Sequence, residues 1–193
     1  TKVYDGTTSS AGVPTITTGA LQGTDSVAWT QTYDNKNIGS GNKTMTAAGT
    51  VSDGNSGLNY SVTFATNTTG SITAKSLTIG GTFTANNKVY DATTSATILV
   101  NSLTLTGVVG AETVTLTPVL VFADKNASGT PKTVSLTGSS IAGIDSGNYT
   151  LSLTGAPTAS ANLTARPITV SAVTGTKVYD GTTSSAGVPT ITT

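Results

Sequence analysis

The first 18 residues of the chain, TKVYDGTTSSAGVPTITT, return unchanged as residues 176–193. A fold does not by itself require an identical copy of so long a stretch at such a distance. The duplication therefore indicates a segment of a tandem array whose units are nearly identical. Arrays of this kind usually act through length, spacing and repetition, and seldom through an active site.

A shorter motif divides the array more finely. KVYDGTT at 2–8 recurs as KVYDATT at 88–94 and as KVYDGTT at 177–183. Other landmarks recur in the same order: Asn59-Tyr60 matches Asn148-Tyr149, and Asp25-Ser26-Val27 corresponds to Glu112-Thr113-Val114. The chain is therefore interpreted as a doublet of two related modules followed by the start of a third.

We define module A as residues 1–75, module B as residues 76–165 and the tail as residues 166–193. Module B is the complete module, module A lacks the opening strand, and the tail begins a new module A. A period of roughly 88 residues exceeds the coil of a solenoid and suits small globular domains, each with its own core. Only a few residues join successive modules, which predicts a semi-rigid linear array.

The composition predicts an all-β fold. Thr is the commonest residue, and β-branched side chains pack well on pleated strands. Apolar residues alternate with period two in Ser76–Thr84, with Leu77, Ile79 and Phe83 inward, and in Thr113–Phe122, with Val114, Leu116, Val119 and Val121 inward. Short strands between Gly- and Asn-rich turns favour tandem immunoglobulin-like β-sandwiches, with a β-grasp-like or other mostly-β module as the alternative.

One turn supports the immunoglobulin-like interpretation. Asp145-Ser146-Gly147-Asn148-Tyr149 resembles the corner at which a Tyr hydroxyl bonds back to the chain, and module A has a looser version that ends at Tyr60. The alternative is a polar turn followed by an ordinary core Tyr.

Several classes of function are excluded or disfavoured. The chain has no Cys and no His, which excludes thiolate zinc sites and Cys–His or Ser–His catalysis. No constellation recurs that would make an enzyme, so neither a catalytic residue nor a cofactor nor a metal site is expected. A formal net charge of +0 without a basic patch disfavours nucleic acid, and no apolar run reaches the roughly 20 residues that cross a bilayer.

The recurring motifs together resemble the YDG-type repeat. They are the KVYDGTT start, the Asp-Lys-Asn segment at 124–126, the Asp-Ser-Gly-Asn-Tyr turn and the A-[KR]-x-[LI]-T-[IV] exit at 74–79 and 165–170. That repeat occurs in large bacterial surface proteins, including filamentous-haemagglutinin-like adhesins exported by two-partner secretion. The resemblance implies an extracellular stalk at the bacterial cell surface. The signature residues are Tyr4, Asp5, Gly6, Tyr60, Tyr90, Asp91, Asp145, Gly147, Tyr149, Tyr179, Asp180 and Gly181.

Each signature residue has an expected structural role. The Tyr of KVYD is expected to be a half-buried anchor whose hydroxyl reaches a backbone partner, and the following Asp to accept from turn amides. Ala92, where the other copies carry Gly, questions whether this position needs a positive φ. A calcium site, a Lys–Asn isopeptide bond, glycosylation at Asn-x-Ser/Thr sequons and sugar stacking on Trp29 remain minor alternatives.

The expected function is a structural stalk or spacer of a surface adhesin or fibre that supports adhesion or biofilm formation. The alternative is a module that binds a host or matrix glycan or polymer weakly, with repetition supplying avidity. The expected partners are neighbouring modules and other copies of the chain, through strand pairing at the edge that module A exposes.

Overall fold

The structure is a computed structural model that describes residues 1–192 and contains no α-helix among them. The tail strand that ends at Thr192 is the last element, and Thr193, the final residue of the predicted tail, lies outside the described residues. The strands are β1 Lys2–Val3, β2 Ser26–Tyr33, β3 Gly39–Ser52, β4 Asn67–Thr73, β5 Lys75–Ala85, β6 Lys88–Val89, β7 Ser95–Ala96, β8 Ile98–Thr106, β9 Thr115–Thr117, β10 Leu120–Phe122, β11 Lys132–Ser135, β12 Ser140–Ala142, β13 Tyr149–Ser152, β14 Ala159–Ala161, β15 Leu163–Thr164, β16 Thr169–Ser171 and β17 Thr190–Thr192.

The strands form several small sheets. Module A holds one sheet in the order β1-β4-β3-β2, and module B holds β14-β11-β10-β7 and β13-β5-β8 with the pairs β12-β9 and β15-β6. In the tail, β16 pairs with β17. The pairs β1–β4, β5–β13 and β6–β15 are parallel and the rest are antiparallel. The all-β class is confirmed, whereas tandem immunoglobulin-like sandwiches are not shown.

The opening strand of module B follows its predicted pattern. Leu77, Ile79 and Phe83 alternate along β5 and are all buried. β5 lies in the middle of its sheet, parallel to β13 on one edge and antiparallel to β8 on the other. Gly81 adopts a φ of +78°, and a Cβ built there would lie 2.1 Å from the Ser102 carbonyl oxygen, so the two strands approach more closely here than another residue allows.

The predicted strand Thr113–Phe122 is broken at Pro118, which has no N–H for a ladder. β9 ends before the proline and β10 begins after it, yet the inward face keeps one phase, because Val114 and Leu116 are half-buried before the break and even-numbered positions stay inward after it. Leu120 and Phe122 are buried, while Val119 is exposed and Val121 is only half-buried, so the prediction that Val119 and Val121 point inward was wrong. In module A, β2 runs through the equivalent place without a break.

The two buried clusters divide unequally between the modules. One lies within module B and includes Phe122, Val134 and Leu163. The other joins Tyr4, Tyr33 and Ile72 of module A to Leu77 and Tyr149, which belong to β5 and β13 of module B. Module A therefore completes its buried cluster with side chains of module B. The prediction that each module has its own core did not include this shared cluster.

None of the helical segments described in residues 1–192 is long and apolar enough to cross a membrane.

Candidate functional site: the junction between the modules

The junction between the modules is built around one carboxylate. Glu112 lies in the turn before β9, and Tyr149 starts β13, so both belong to module B. Module A contributes Tyr4, which directly follows β1, and Lys36, which lies between β2 and β3. These four residues, Glu112, Tyr149, Tyr4 and Lys36, are called the junction cluster below.

Each donor in the junction cluster points at Glu112. The Tyr4 hydroxyl and the Lys36 Nζ both donate to Oε1 at 2.5 Å, and the Tyr149 hydroxyl donates to Oε2 at 2.5 Å. The Tyr149 oxygen also accepts from the Val109 N–H at 3.0 Å. The carboxylate is thus satisfied by one ammonium and two phenols, in an arrangement that draws on both modules.

The proton affinities within the junction cluster are strongly shifted. Burial alone raises the pKa of Glu112, but the hydrogen bonds from Lys36, Tyr149 and Tyr4 outweigh burial and lower this pKa to about 2. Burial and then the hydrogen bond to Glu112 raise the pKa of Tyr149 to about 12. The pKa of Tyr4 is raised by the same two causes, and the hydrogen bond to Glu112 raises the pKa of Lys36. The contact is therefore between an ionised Glu–Lys pair and two neutral phenols across the neutral pH range.

Close packing supports these hydrogen bonds. The rings of Tyr4 and Tyr149 meet edge to face with centroids 5.4 Å apart, and Tyr4 is only 1% exposed. At Gly6 a Cβ would lie 2.8 Å from Val109 Cγ1, so a glycine lets the turn after Tyr4 approach module B. Asn148, which is buried, accepts from the Ile38 N–H at 3.1 Å and ties a second loop of module A to module B.

Module A repeats the acid–tyrosine half of the junction cluster at its other end. The Tyr60 hydroxyl donates to Asp25 at 2.6 Å and accepts from the Gln22 N–H at 2.8 Å. Asp25 and Tyr60 correspond in sequence to Glu112 and Tyr149. Among the described residues, however, no Lys bonds to Asp25 and no second Tyr reaches it.

The three tyrosines of KVYD have different surroundings. Tyr4 is fully buried and its hydroxyl bonds a carboxylate, so the predicted half-buried anchor with a backbone partner was wrong for this copy. Tyr90 is half-buried and packs against the core of module B, as predicted for its ring. Tyr179, in the tail, is 93% exposed, so the prediction of a half-buried anchor was wrong for this copy as well.

The aspartates of KVYD act as predicted. Asp5, Asp91 and Asp180 each accept from the backbone N–H two residues later, at 2.9, 2.9 and 3.0 Å. Each also pairs with the Lys three residues earlier, at 2.6 to 2.8 Å. These lysines, Lys2, Lys88 and Lys177, are therefore held by their own turns, and the acid that recurs at Glu112 pairs with Lys36 instead.

The turn glycine position does require a positive φ. Gly6 has a φ of +79° and Gly181 of +74°, and Ala92 adopts +68° although it has a Cβ. The position therefore needs a positive φ even where the residue is Ala92. Because non-glycine residues rarely adopt such angles, the backbone is strained at Ala92.

The turn before Tyr149 shapes the junction from the module B side. Asp145 Oδ2 accepts from the Thr113 N–H at 2.8 Å, which fixes the segment that carries Glu112. Gly147 lies in a short 3₁₀ turn, Ser146–Asn148, that delivers Tyr149 to β13. The Tyr149 hydroxyl reaches Val109 rather than a residue a few positions upstream, so the immunoglobulin corner is not formed.

Sequence reasoning did not single out Glu112 and Lys36 as site residues. The signal was present, because Glu112 corresponds to Asp25 and Lys36 lies in the motif that recurs as Asp-Lys-Asn at 124–126. The sequence alone does not show that the segment with Glu112 and the segment with Lys36 meet across the boundary between the modules. Within the described residues, no three acidic side chains cluster as metal ligands would.

A family comparison agrees with the repeat. The YDG domain matches residues 1–69 and again residues 73–159, which is most of the chain. The chain belongs to the YDG domain family. Comparison with curated proteins and with solved structures gives no significant match.

The family match also corrects the resemblance drawn from the sequence. What it identifies is a YDG domain, and YDG domains of the SRA-YDG kind are known from eukaryotic, phage and bacterial proteins that bind methylated DNA, not from adhesin repeats. The assignment to the repeats of filamentous-haemagglutinin-like adhesins was therefore wrong as a family assignment. The assignment to the YDG domain family remains, and the two matched stretches correspond to the two modules.

Proposed function

We propose that this chain is a structural spacer, a pair of YDG modules that repeat to form the stalk of an extended fibre outside the cell. The observation that carries the proposal is the junction cluster, in which Glu112 accepts from Tyr4 and Lys36 of the preceding module. A partly buried contact of this kind fixes how one module follows the next, and a fixed contact repeated along an array gives a rod.

The joint itself supports a spacer. Ala74 alone separates β4 of module A from β5 of module B, so no flexible linker lies between them. The shared buried cluster adds apolar contact on either side of the joint. A spacer needs these properties and needs no catalytic group.

Small-angle scattering tests the proposal. The full chain is compared with a chain in which the doublet is present twice, and the maximum dimension is expected to rise by about 30–45 Å for each added module. The Glu112→Ala variant leaves the donors of the junction cluster without an acceptor and is expected to give a broader distance distribution. A compact particle whose dimension does not grow with the number of modules contradicts the spacer.

We do not propose that this chain binds methylated DNA as SRA-YDG proteins do. The formal net charge is +0, with 9 basic and 9 acidic residues, whereas affinity for DNA rests largely on basic side chains that neutralise phosphates. Titration of the chain with methylated and unmethylated duplexes is expected to give no binding at physiological salt. Binding that prefers the methylated duplex would replace the spacer as the proposed function.

A further inference from the structure

Lys43 is a buried lysine whose amino group has no carboxylate partner. It lies on β3, is only 6% exposed, and is the one charged residue that is buried among residues 1–192. No carboxylate in that range forms an ion pair with it. A lysine acts as a nucleophile through its neutral amine, and a site without a counter-ion does not hold the ammonium form in an ion pair.

The amino group of Lys43 contacts the side-chain amide of Asn35. Nζ donates to the Asn35 Oδ1 at 2.6 Å, and the same oxygen accepts from the Asn37 N–H at 3.1 Å. Because Oδ1 is bonded to Cγ, the amine lies one atom away from the carbon that it would attack. The Asn37 N–H stays on the oxygen while negative charge develops there, which stabilises a tetrahedral intermediate.

A glycine makes room for the stem of this lysine. A Cβ built at Gly39 would lie 2.7 Å from the Lys43 Cε and 2.3 Å from the Asn42 Oδ1. Such a carbon would push the lysine stem from its position, since real Cβ atoms do not approach other atoms so closely. The glycine therefore lets the stem pass along the hairpin to the amide of Asn35.

Module B contains the equivalent hairpin with different residue types. The two hairpins share a backbone hydrogen bond at the same place: the Asp34 N–H donates to the Thr44 carbonyl at 2.8 Å in module A, and the Ala123 N–H donates to the Thr133 carbonyl at 3.0 Å in module B. The residues that this bond aligns are Asp34 with Ala123, Asn35 with Asp124, and Lys43 with Lys132. The lysine is thus common to both modules, whereas the amide is present only in module A.

In module B the lysine is held in an ion pair. The Lys132 Nζ donates to both carboxylate oxygens of Asp124, at 2.8 and 2.7 Å, and this hydrogen bonding lowers the pKa of Asp124. An ionised carboxylate resists attack by an amine. Module A presents a neutral amide instead, and its acid stands one position earlier, at Asp34, whose Oδ1 accepts from the backbone N–H of Asn35 at 3.0 Å. Module A alone therefore combines the lysine, an amide and a neighbouring acid.

We propose that Lys43 and Asn35 join in an isopeptide bond within module A. The neutral Nζ moves from beside Oδ1 to the Cγ of Asn35 and forms a C–N bond with it. The Cγ–Nδ2 bond breaks, and the proton that Nζ loses passes to Nδ2 through the carboxylate of Asp34. Ammonia leaves to the solvent, to which Asn35 is exposed. One amide replaces another, so the step needs neither an oxidant nor a cofactor.

The bond would fix the segment that carries Lys36. It closes a ring from Asn35 to Lys43, and this ring contains Lys36, which donates to Glu112 in the junction cluster. A closed ring samples fewer conformations than an open loop. The module A side of the junction is then held in position by a covalent bond. The bond itself is a property of module A and does not depend on the spacer function.

The intact mass of the full chain tests the bond. We expect a mass that is lower than the mass of the sequence by one ammonia. Trypsin cannot cleave after a lysine whose amine is acylated, so digestion is expected to give a branched peptide in which residues 3–36 stay joined to residues 37–75 through Asn35 and Lys43. A mass equal to that of the unmodified sequence overturns the inference.

Variants distinguish the bond from other losses of ammonia. An Asn side chain that cyclises onto its own backbone also releases ammonia, so the loss has to depend on the lysine. We expect Lys43→Arg and Asn35→Ala to have the full mass of their sequences. Lys132→Arg, the matched change in module B, is expected to keep the loss. A loss of ammonia that persists in Lys43→Arg overturns the inference.

Transfer of the site to module B tests the roles of the amide and the acid. The double variant Ala123→Asp/Asp124→Asn is expected to lose a second ammonia through Lys132, and a double variant without that loss contradicts these roles. Asp34→Asn is expected to slow the original loss at least about tenfold when the mass is followed after cell-free synthesis, and an unchanged rate removes Asp34 from the mechanism. The scattering of the Lys43→Arg chain still measures the joint between the modules, so the spacer and the bond can fail separately.

Discussion

At the scale of single residues, Ala92 carries strain that the other two copies of its turn avoid. Its φ of +68° costs an L-residue roughly 1–2 kcal/mol, which a glycine does not lose. We expect Ala92→Gly to raise the free energy of unfolding by about 1 kcal/mol, after the greater chain entropy of glycine is subtracted. Chemical denaturation measures the change. Ala96→Gly, in β7 at an ordinary φ, is the control and is expected to lower stability, and a loss of stability with both variants would contradict the strain.

The pH dependence of the junction follows from Glu112. Its pKa is about 2 in the folded chain, below the ordinary value of 4.5, so its contribution is complete above pH 4.5 and is lost as the pH falls toward 2. Thermal unfolding is expected to show this acid loss in the native chain. In Glu112→Gln, which cannot ionise, the part of the loss that comes from this residue should be absent. An identical acid profile in both chains would show that the carboxylate does not stabilise the fold.

At the scale of strands, two neighbouring glycines of β5 should respond differently. Gly81→Ala places a Cβ against the Ser102 carbonyl at a positive φ and is expected to destabilise module B by about 3 kcal/mol. Gly80→Ala meets the Thr104 and Thr106 hydroxyls at 3.1 and 3.4 Å, which can rotate, and is expected to change stability by no more than about 1 kcal/mol. Denaturant unfolding of the two variants compares the sites directly. Equal losses would mean that the close approach of β5 and β8 is not maintained.

The strands also show how far the sequence can be interpreted. Alternation predicts the buried face of β5 because that strand runs without interruption, from Leu77 to Phe83. The same alternation continues across Pro118, from Leu116 to Leu120 and Phe122, so the error at Val119 and Val121 came from shifting the phase at the proline. Repetition marks Tyr4 and Tyr149 as important, but their common partner lies in a different module. Contacts across a module boundary produce no repeating sequence pattern from which they could be predicted.

At the scale of the whole molecule, the shared buried cluster couples the two modules. We expect the chain to unfold in one calorimetric transition, because Tyr4 and Ile72 are buried together with Leu77 and Tyr149. Tyr4→Ala removes the largest contribution of module A and is expected to cost about 3–5 kcal/mol and to separate the transition into two. Tyr179→Ala makes the same change in the exposed copy of the motif and should leave the scan unchanged. Two separate transitions in the unmodified chain would show that the modules fold independently.

The single-residue joint at Ala74 determines how the molecule would respond to tension. A pull along the chain enters module B through β5, which begins at the joint, and leaves through β15, which ends at Thr164. β5 lies between two partners and is parallel to one of them, so a force along its axis slides it against both ladders and loads their hydrogen bonds in shear. Bonds loaded in this way must break together rather than one after another. The strand that starts module B is thus also the element that would resist extraction of this module under load.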